Sequence, residues 1–310
     1  MRDEAVLTLY TGQGLAFPGL SPLVVFIPES PGGGSNYSRP TGIVFNGTKD
    51  FDLAPGVPSR LLIITLDGSI VGWSSVMDQH AAALLVDNSP EAEYTGAAIA
   101  RLHDENALFV ANFRQGRIDV FGPDFGPLFL GPSAFHDPLV PSNFSPYNIQ
   151  NVNGELYVTF AMSGTDGRTA MAGEALGYVD VFHTTGDLVM RLESGPWMNA
   201  PWGIALAPIG FGAYGGFVLV GNSGSGSVSV FHNSTGSFAG YLQDAHGKIL
   251  TFPGLHALAF GNDGLAGPST ALYFTSGHDN DGLNIVGIIT HGAIQTMQYS
   301  AAPTKPYVPY

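Results

Sequence analysis

Short apolar runs alternate with glycine-bearing turns along the whole chain, and the runs recur in a fixed order. One kind of run opens each unit: Arg39-Pro-Thr-Gly-Ile-Val-Phe45, Glu93-Tyr-Thr-Gly-Ala-Ala-Ile99, Ser145-Pro-Tyr-Asn-Ile-Gln150, Ala200-Pro-Trp-Gly-Ile-Ala-Leu206 and Gly254-Leu-His-Ala-Leu-Ala-Phe260. Aligned, they place Thr41, Thr95, Tyr147, Trp202 and His256 at one equivalent position, with spacings of 54, 52, 55 and 54 residues. A second apolar run follows in each unit and ends at Thr65, Asn112, Phe160, Asn222 or Ser276. After a turn such as Asp67-Gly68, Gln115-Gly116 or Ser225-Gly226 comes a third run. Its alternation of polar and apolar residues, as in Arg117-Ile-Asp-Val-Phe121 and Ser227-Val-Ser-Val-Phe231, predicts a strand with one buried face. A fourth, more variable run closes the unit, for example Leu188-Val-Met-Arg-Leu192.

Four short strands repeated at a period near 54 residues predict an all-β, six-bladed β-propeller of four-stranded blades, in one domain spanning 1–310. Blade boundaries fall near 38, 92, 144, 199 and 253. Five units are complete. A sixth is half present, with Val6–Tyr10 read as a third strand and Leu23–Ile27 as a fourth, so the first blade is expected to be incomplete in this numbering. The first strand of each blade is expected innermost, where small residues such as Gly42, Gly96, Gly203 and Ala257 suit a crowded axis. The aromatics closing the third strands (Trp73, Phe121, Phe182, Phe231) are expected to pack between blades.

Composition narrows the partners. Among 310 residues, 25 acids against 11 bases leave a net charge of −14, a surface that repels phosphate backbones and argues against nucleic acid. No apolar run approaches the ~18 residues of a membrane span. The absence of cysteine excludes disulfides and thiolate chemistry. Sequons at Asn36, Asn46, Asn143 and Asn233 point to N-linked glycans and a secretory or extracellular location. Met1-Arg-Asp-Glu-Ala5 is no signal peptide, so a leader would lie outside this numbering.

In a propeller, the start of strand one and the end of strand two emerge on one face, where a ligand site is expected. The strand-one ring (Thr41, Thr95, Tyr147, Trp202, His256) and the strand-two ring (Thr65, Asn112, Phe160, Asn222, Ser276) would together line an amphipathic bowl, with Asp67, Arg114 and His278 at its rim. Each residue also has a plainer reading: Asn112 and Asn222 as turn caps, Trp202 and His256 as packing residues. A serine-nucleophile elbow, a His-Glu-x-x-His pair and a phosphate-binding glycine loop are missing from the sequence, and Asp279-Asn-Asp-Gly282 reads as a turn rather than a calcium loop. A metal held by Asn112, Asn222 and Asp67 would suit a lactonase, but such sites normally include a Glu, and neither ring holds one.

The strings Arg39-Pro-Thr-Gly-Ile-Val-Phe-Asn-Gly-Thr48, Ala111-Asn-Phe-Arg-Gln-Gly-Arg-Ile-Asp-Val-Phe121, Asn199-Ala-Pro-Trp-Gly-Ile-Ala-Leu-Ala-Pro208 and Leu219-Val-Gly-Asn222 resemble a largely uncharacterised family of secreted six-bladed propellers. Members of that family usually open with a further Pro-Trp-Gly-Ile-type strand, which this sequence lacks. Some fungal members are glycosylated hetero-Diels–Alder cyclases that join a tropolone quinone methide to a terpene such as humulene. The resemblance implies small apolar or aromatic substrates, no cofactor and no metal. For such a reaction the ring geometry, rather than a mapping of family residues, sets Trp202, Tyr147 and Phe160 as walls, Asn112, Asn222, Thr65 and His256 as hydrogen-bond donors, His278 or Arg114 as promoters of quinone-methide formation, and Thr41, Thr95, Ser276 and Asp67 as further substrate contacts. A non-catalytic binding propeller and a metal-dependent hydrolase remain the alternatives.

Overall fold

The computed structural model describes residues 5–34, 38–277, 284–290 and 293–299. Strands dominate them, with one 3-10 turn at Gly212–Tyr214. Five antiparallel sheets of the expected kind follow one another, each with its main strands in sequence order from inside to outside. We number these blades one to five. Their first strands are Pro40–Phe45, Tyr94–Leu102, Phe144–Val152, Pro201–Leu206 and Leu255–Phe260. Val6–Thr8 and Val24–Phe26 form a separate two-stranded sheet. The protein is thus an all-β propeller with five four-stranded blades and a leading half-blade, rather than six complete blades. Two small elaborations lay outside the repeat: a hairpin between the first two strands of blade one (Asp52–Ala54 with Val57–Pro58), and a short strand, Ala170–Met171, on the second strand of blade three.

The core sits between blades, because each sheet buries both faces against its neighbours. One apolar cluster joins blades one and two through Leu62, Ile64, Tyr94, Leu108 and Phe121. Another joins two and three through Phe109, Val158 and Phe182. A third joins three and four through Val181, Val220 and Phe231, and a fourth joins four and five through Leu219, Leu258 and Phe274. Trp73, Phe121, Phe182 and Phe231 are all buried as the pattern demands. The half-blade packs on blade one through Ile27, Leu7, Ile63 and Val71, and Phe26 pairs with the backbone around Ala81.

The axis is as crowded as the small residues imply. A Cβ on Gly96 would lie 1.9 Å from Asn148 Oδ1, and one on Gly203 would lie 2.5 Å from the His256 carbonyl oxygen. Only glycine permits the inner strands of neighbouring blades to approach this closely.

One sequon does not suit a glycan. Asn46 is fully buried, and its amide nitrogen donates to Asp50 O and Ser59 O, both at 2.8 Å. Its oxygen accepts from Thr48 N and Oγ1 in an Asx-type turn. A glycan on that nitrogen would break the fold around it. Asn143 and Asn233 are exposed, and Asn36 lies outside the described residues.

Candidate functional site

The opening motif encodes a β-bulge, and the bulge builds the ring. In blade one the register passes from Pro40↔Thr65 to Gly42↔Ile64, leaving Thr41 as the extra residue. The same slip isolates Thr95 between Tyr94↔Asn112 and Gly96↔Ala111, Tyr147 between Pro146↔Phe160 and Asn148↔Thr159, and Trp202 between Pro201↔Asn222 and Gly203↔Gly221. In blade five His256 and Ala257 together occupy the slip between Leu255↔Ser276 and Leu258↔Phe274. A bulge re-aims the extra side chain out of the normal alternation. All five blades use it at the same step, so the motif takes five side chains out of the strand alternation at equivalent positions. The strand-two residues Thr65, Asn112, Phe160, Asn222 and Ser276 lie opposite the residue just before each bulge, which makes them register equivalents as well.

Four of the five bulge residues touch one another. The Trp202 indole stacks on the His256 imidazole at 3.9 Å between centroids and 25° between planes. Its Nε1 donates across the channel to Thr95 O at 3.0 Å, over a separation of 107 residues. The His256 ring is hydrogen-bonded to the backbone of Thr41. The Thr41 hydroxyl lies 2.7 Å from Tyr94 O and 3.1 Å from Ile64 O, with one proton to share. Asn148 Nδ2 donates to Trp202 O at 2.8 Å and ties the plug to blade three. Tyr147 packs instead on Phe113, 5.4 Å between centroids. Trp202 and Thr95 are buried, while Thr41, Tyr147 and His256 keep some exposure. The expected open bowl is therefore a mouth closed by a Trp202–His256 plug. Burial pushes the imidazole pKa down to about 4, against a raising contribution from the Thr41 bond, so the ring is neutral at pH 7.

The strand-two ring serves the blades themselves. Thr65 Oγ1 bonds Ser69 Oγ (2.7 Å) and accepts from Ser69 N (3.1 Å). Asn112 Oδ1 accepts from Glu93 N and Gln115 N, and its amide donates to Asp119 Oδ2 at 2.8 Å. Asn222 Oδ1 accepts from Asn199 N at 2.8 Å, and its amide donates to Ser229 Oγ at 3.0 Å. Phe160 belongs to the core between blades two and three. Thr65, Asn112, Phe160, Asn222 and Ser276 are all buried. Their plainer reading as turn and packing residues thus has contacts in the structure: at a strand end turning into a hairpin, otherwise unpaired backbone groups need a partner.

The rim contains a group missed in the sequence. Glu93 stands two residues before its ring position, as Arg39 does in blade one. It is buried, with Oε1 3.3 Å from Arg168 Nη1 and Oε2 lacking any hydrogen-bond partner. Burial raises its carboxyl pKa, against the lowering influence of Arg168, Arg114 and Arg39 in that order. Arg168 is presented by a tight loop in which Asp166 accepts from the backbone N–H groups of Arg168 and Thr169. Arg114 donates to the Pro90 carbonyl oxygen. Asp67, expected at the rim, is buried and engaged by Arg39 through backbone N (2.7 Å) and Nε (2.8 Å). His278 lies outside the described residues, as does the turn at 279–282. The signal that would have found Glu93 was its alignment with Arg39 in the repeat. Among the described residues, no group of three or more His, Cys, Asp or Glu side chains could hold a metal ion. Two cavities lie away from the strand-one ring, the second of them reaching Asn112. One, of about 470 Å³, opens beside the half-blade at Phe26, Pro28, Ser38 and His80. The other, of about 810 Å³, runs along the outer strands of blade two past Phe121, Phe129 and Phe135.

No protein-family model matches the chain. Uncharacterized protein R640 of Acanthamoeba polyphaga mimivirus is 33% identical over 235 residues, covering 73% of this chain and 43% of that protein. Uncharacterized protein L690 of the same virus is 31% identical over 233 residues, covering 72% of this chain and 61% of that protein. The chain spans about half the length of the curated relatives it matches. Among solved structures, a nidogen/laminin complex aligns with a TM-score of 0.52 at 14% identity, over 91% of this chain and 88% of that one. An ancestral GH74 enzyme aligns at 0.50 and 12% identity, over 88% of this chain and 32% of that one. At such identities the likeness is one of fold. No helix among the described residues is long and apolar enough to cross a membrane.

Proposed function

We propose that the channel mouth is a small-molecule site. It receives a flat, conjugated substrate against Thr41, Tyr147 and His256, with buried Trp202 holding the imidazole from behind. The observation that carries this reading is the convergence of four bulge residues, Thr41, Thr95, Trp202 and His256, on one stack, a preorganised planar surface where four blades meet. The reaction proposed for it is a cofactor-independent hetero-Diels–Alder [4+2] cycloaddition between a tropolone-type quinone methide and a terpene. Such a reaction needs two partners held face to face, and orientation alone is worth several kcal/mol or more. A neutral His256 suits it as an uncharged stacking face: its single N–H is spent on the Thr41 backbone, and the other ring nitrogen is left to accept a hydrogen bond from a substrate hydroxyl.

In this reading the ring is six-bladed, with the half-blade in the third- and fourth-strand positions of the sixth. Asn143 and Asn233 are the glycan acceptors of a chain that passes through the secretory pathway. A hydroxylated tropolone precursor incubated with humulene tests the activity. The expected outcome is cycloadduct formation at least ten times faster than without protein, with altered stereochemical ratio, and loss of the acceleration in His256→Ala. A product ratio and rate equal to the protein-free reaction would reject catalysis. A second reading, a non-catalytic binder, is favoured by the burial of the whole strand-two ring, and tropolone binding without acceleration would support it.

A further inference from the structure

The mouth of this acidic protein gathers charges of both signs, three arginines with the carboxylates of Asp67, Glu93 and Asp166. Of eight arginines in the chain, three (Arg39, Arg114, Arg168) act electrostatically on the single carboxylate of Glu93, in a molecule of net charge −14. They come from three different blades: Arg39 leads into the first strand of blade one, Arg114 follows the second strand of blade two, and Arg168 lies in a loop after the second strand of blade three. Glu93 is not saturated by them. Oε1 faces Arg168, Arg39 is directed to Asp67, and Arg114 is directed to Pro90 O, so Oε2 is buried with no partner. An orphaned buried acceptor is a desolvation cost that is relieved when a ligand supplies the missing donor. Arg168, the partner of the other carboxylate oxygen, is itself 50% exposed and holds Glu93 through a single contact at 3.3 Å.

We infer that Glu93 and Arg168, with Arg114 beside them, form a recognition site for a small molecule that carries an O–H donor next to an anionic or strongly polarised oxygen, as in an α-hydroxyketone, an enolised diketone or a hydroxy acid. The ligand hydroxyl donates to Glu93 Oε2, and the neighbouring oxygen takes Arg168 from Glu93 Oε1. Exchange of one partner for another keeps every charge paired, so the site opens without leaving a bare carboxylate. The spacing in the repeat supports a role at the mouth, since Glu93 lies two residues before Thr95, whose carbonyl anchors the Trp202 plug. This inference rests on the channel mouth being a small-molecule site and names the class of substrate it selects.

Calorimetric titration with tropolone and with its O-methyl ether is the test. Tropolone has the adjacent hydroxyl and carbonyl, and the ether has lost the donor while keeping shape and stacking surface. The expected result is at least tenfold tighter binding of tropolone, and loss of that preference in Glu93→Gln. In Arg168→Gln, with retention of the fold checked by circular dichroism, tropolone is expected to bind at least fivefold more weakly while the ether is unchanged. Equal affinities for the two compounds, unaltered by both substitutions, would overturn the Glu93–Arg168 assignment and leave the mouth as a stacking site only. Absence of binding by either compound would overturn both this assignment and the small-molecule reading of the mouth.

Discussion

At the scale of single residues, the imidazole of His256 links the plug to pH. Its pKa in the folded protein is about 4, because burial disfavours the charged ring, whereas an unfolded histidine titrates near 6.5. Between those values the unfolded chain binds the proton and the folded one does not, so this group lowers stability as pH falls from 6.5 to 4. A second buried group runs the other way. Asp180, bridged by Arg191 (2.9 Å) that also contacts Asp137, has its carboxyl raised to about 6 by burial. It gains a proton in the folded state first and adds stability as pH falls from 6 toward 3.8. The comparison must therefore be a difference. His256→Gln is expected to lose about 2 kcal/mol less stability than the parent between pH 7 and 4.5, read from urea unfolding. Parallel curves for the two proteins would show that the ring titrates normally and is not desolvated by its stack on Trp202.

At the scale of the strand, one bulge repeated five times turns a periodic motif into a convergent site. The spacing of Thr41, Thr95, Tyr147, Trp202 and His256 was legible in the sequence. The bulge was not, because a slip in register is a property of two strands and leaves no mark in one. The same strands show how tightly the axis is drawn. Gly96→Ala would drive a methyl into Asn148 Oδ1 and displace an amide that donates to Trp202 O, so a loss of roughly 2 kcal/mol is expected. Gly42→Ala meets only the Gly96 Cα at 3.5 Å and is expected to cost less than about 1 kcal/mol. Equal unfolding midpoints for the two variants would contradict the packing described between blades two and three.

At the scale of the molecule, stability comes from apolar clusters that each bridge two blades, so neighbouring blades hold one another and a lone blade has no core. The leading half-blade is held more lightly, sharing one small cluster with blade one. Its strands are only three residues long, and the Val6–Thr8 strand is half-buried throughout, whereas 62–65 in blade one is fully buried. Hydrogen exchange should therefore find amides at 6–8 exchanging at least tenfold faster than those at 108–112 in blade two, since local opening follows burial. Similar protection at both places would show the half-blade to be as firmly held as the complete ones.

What the amino-acid order determined by itself is local and repetitive: strand positions, blade length, the small residues at the axis, the aromatics between sheets and the set of equivalent positions at the mouth. These follow from periodicity and from the size of side chains, which any single stretch displays. What only the tertiary structure decided is which of the equivalent residues remain open. Asn112 and Asn222 are as polar in sequence as any ligand donor, yet closing each hairpin consumes them on backbone groups a few residues away. Trp202 meets Thr95 only because two blades curve around a common axis, and Glu93 meets Arg168 only because loops of neighbouring blades rise on the same face. Ring closure sets those distances, and no part of the chain shorter than several blades contains that information.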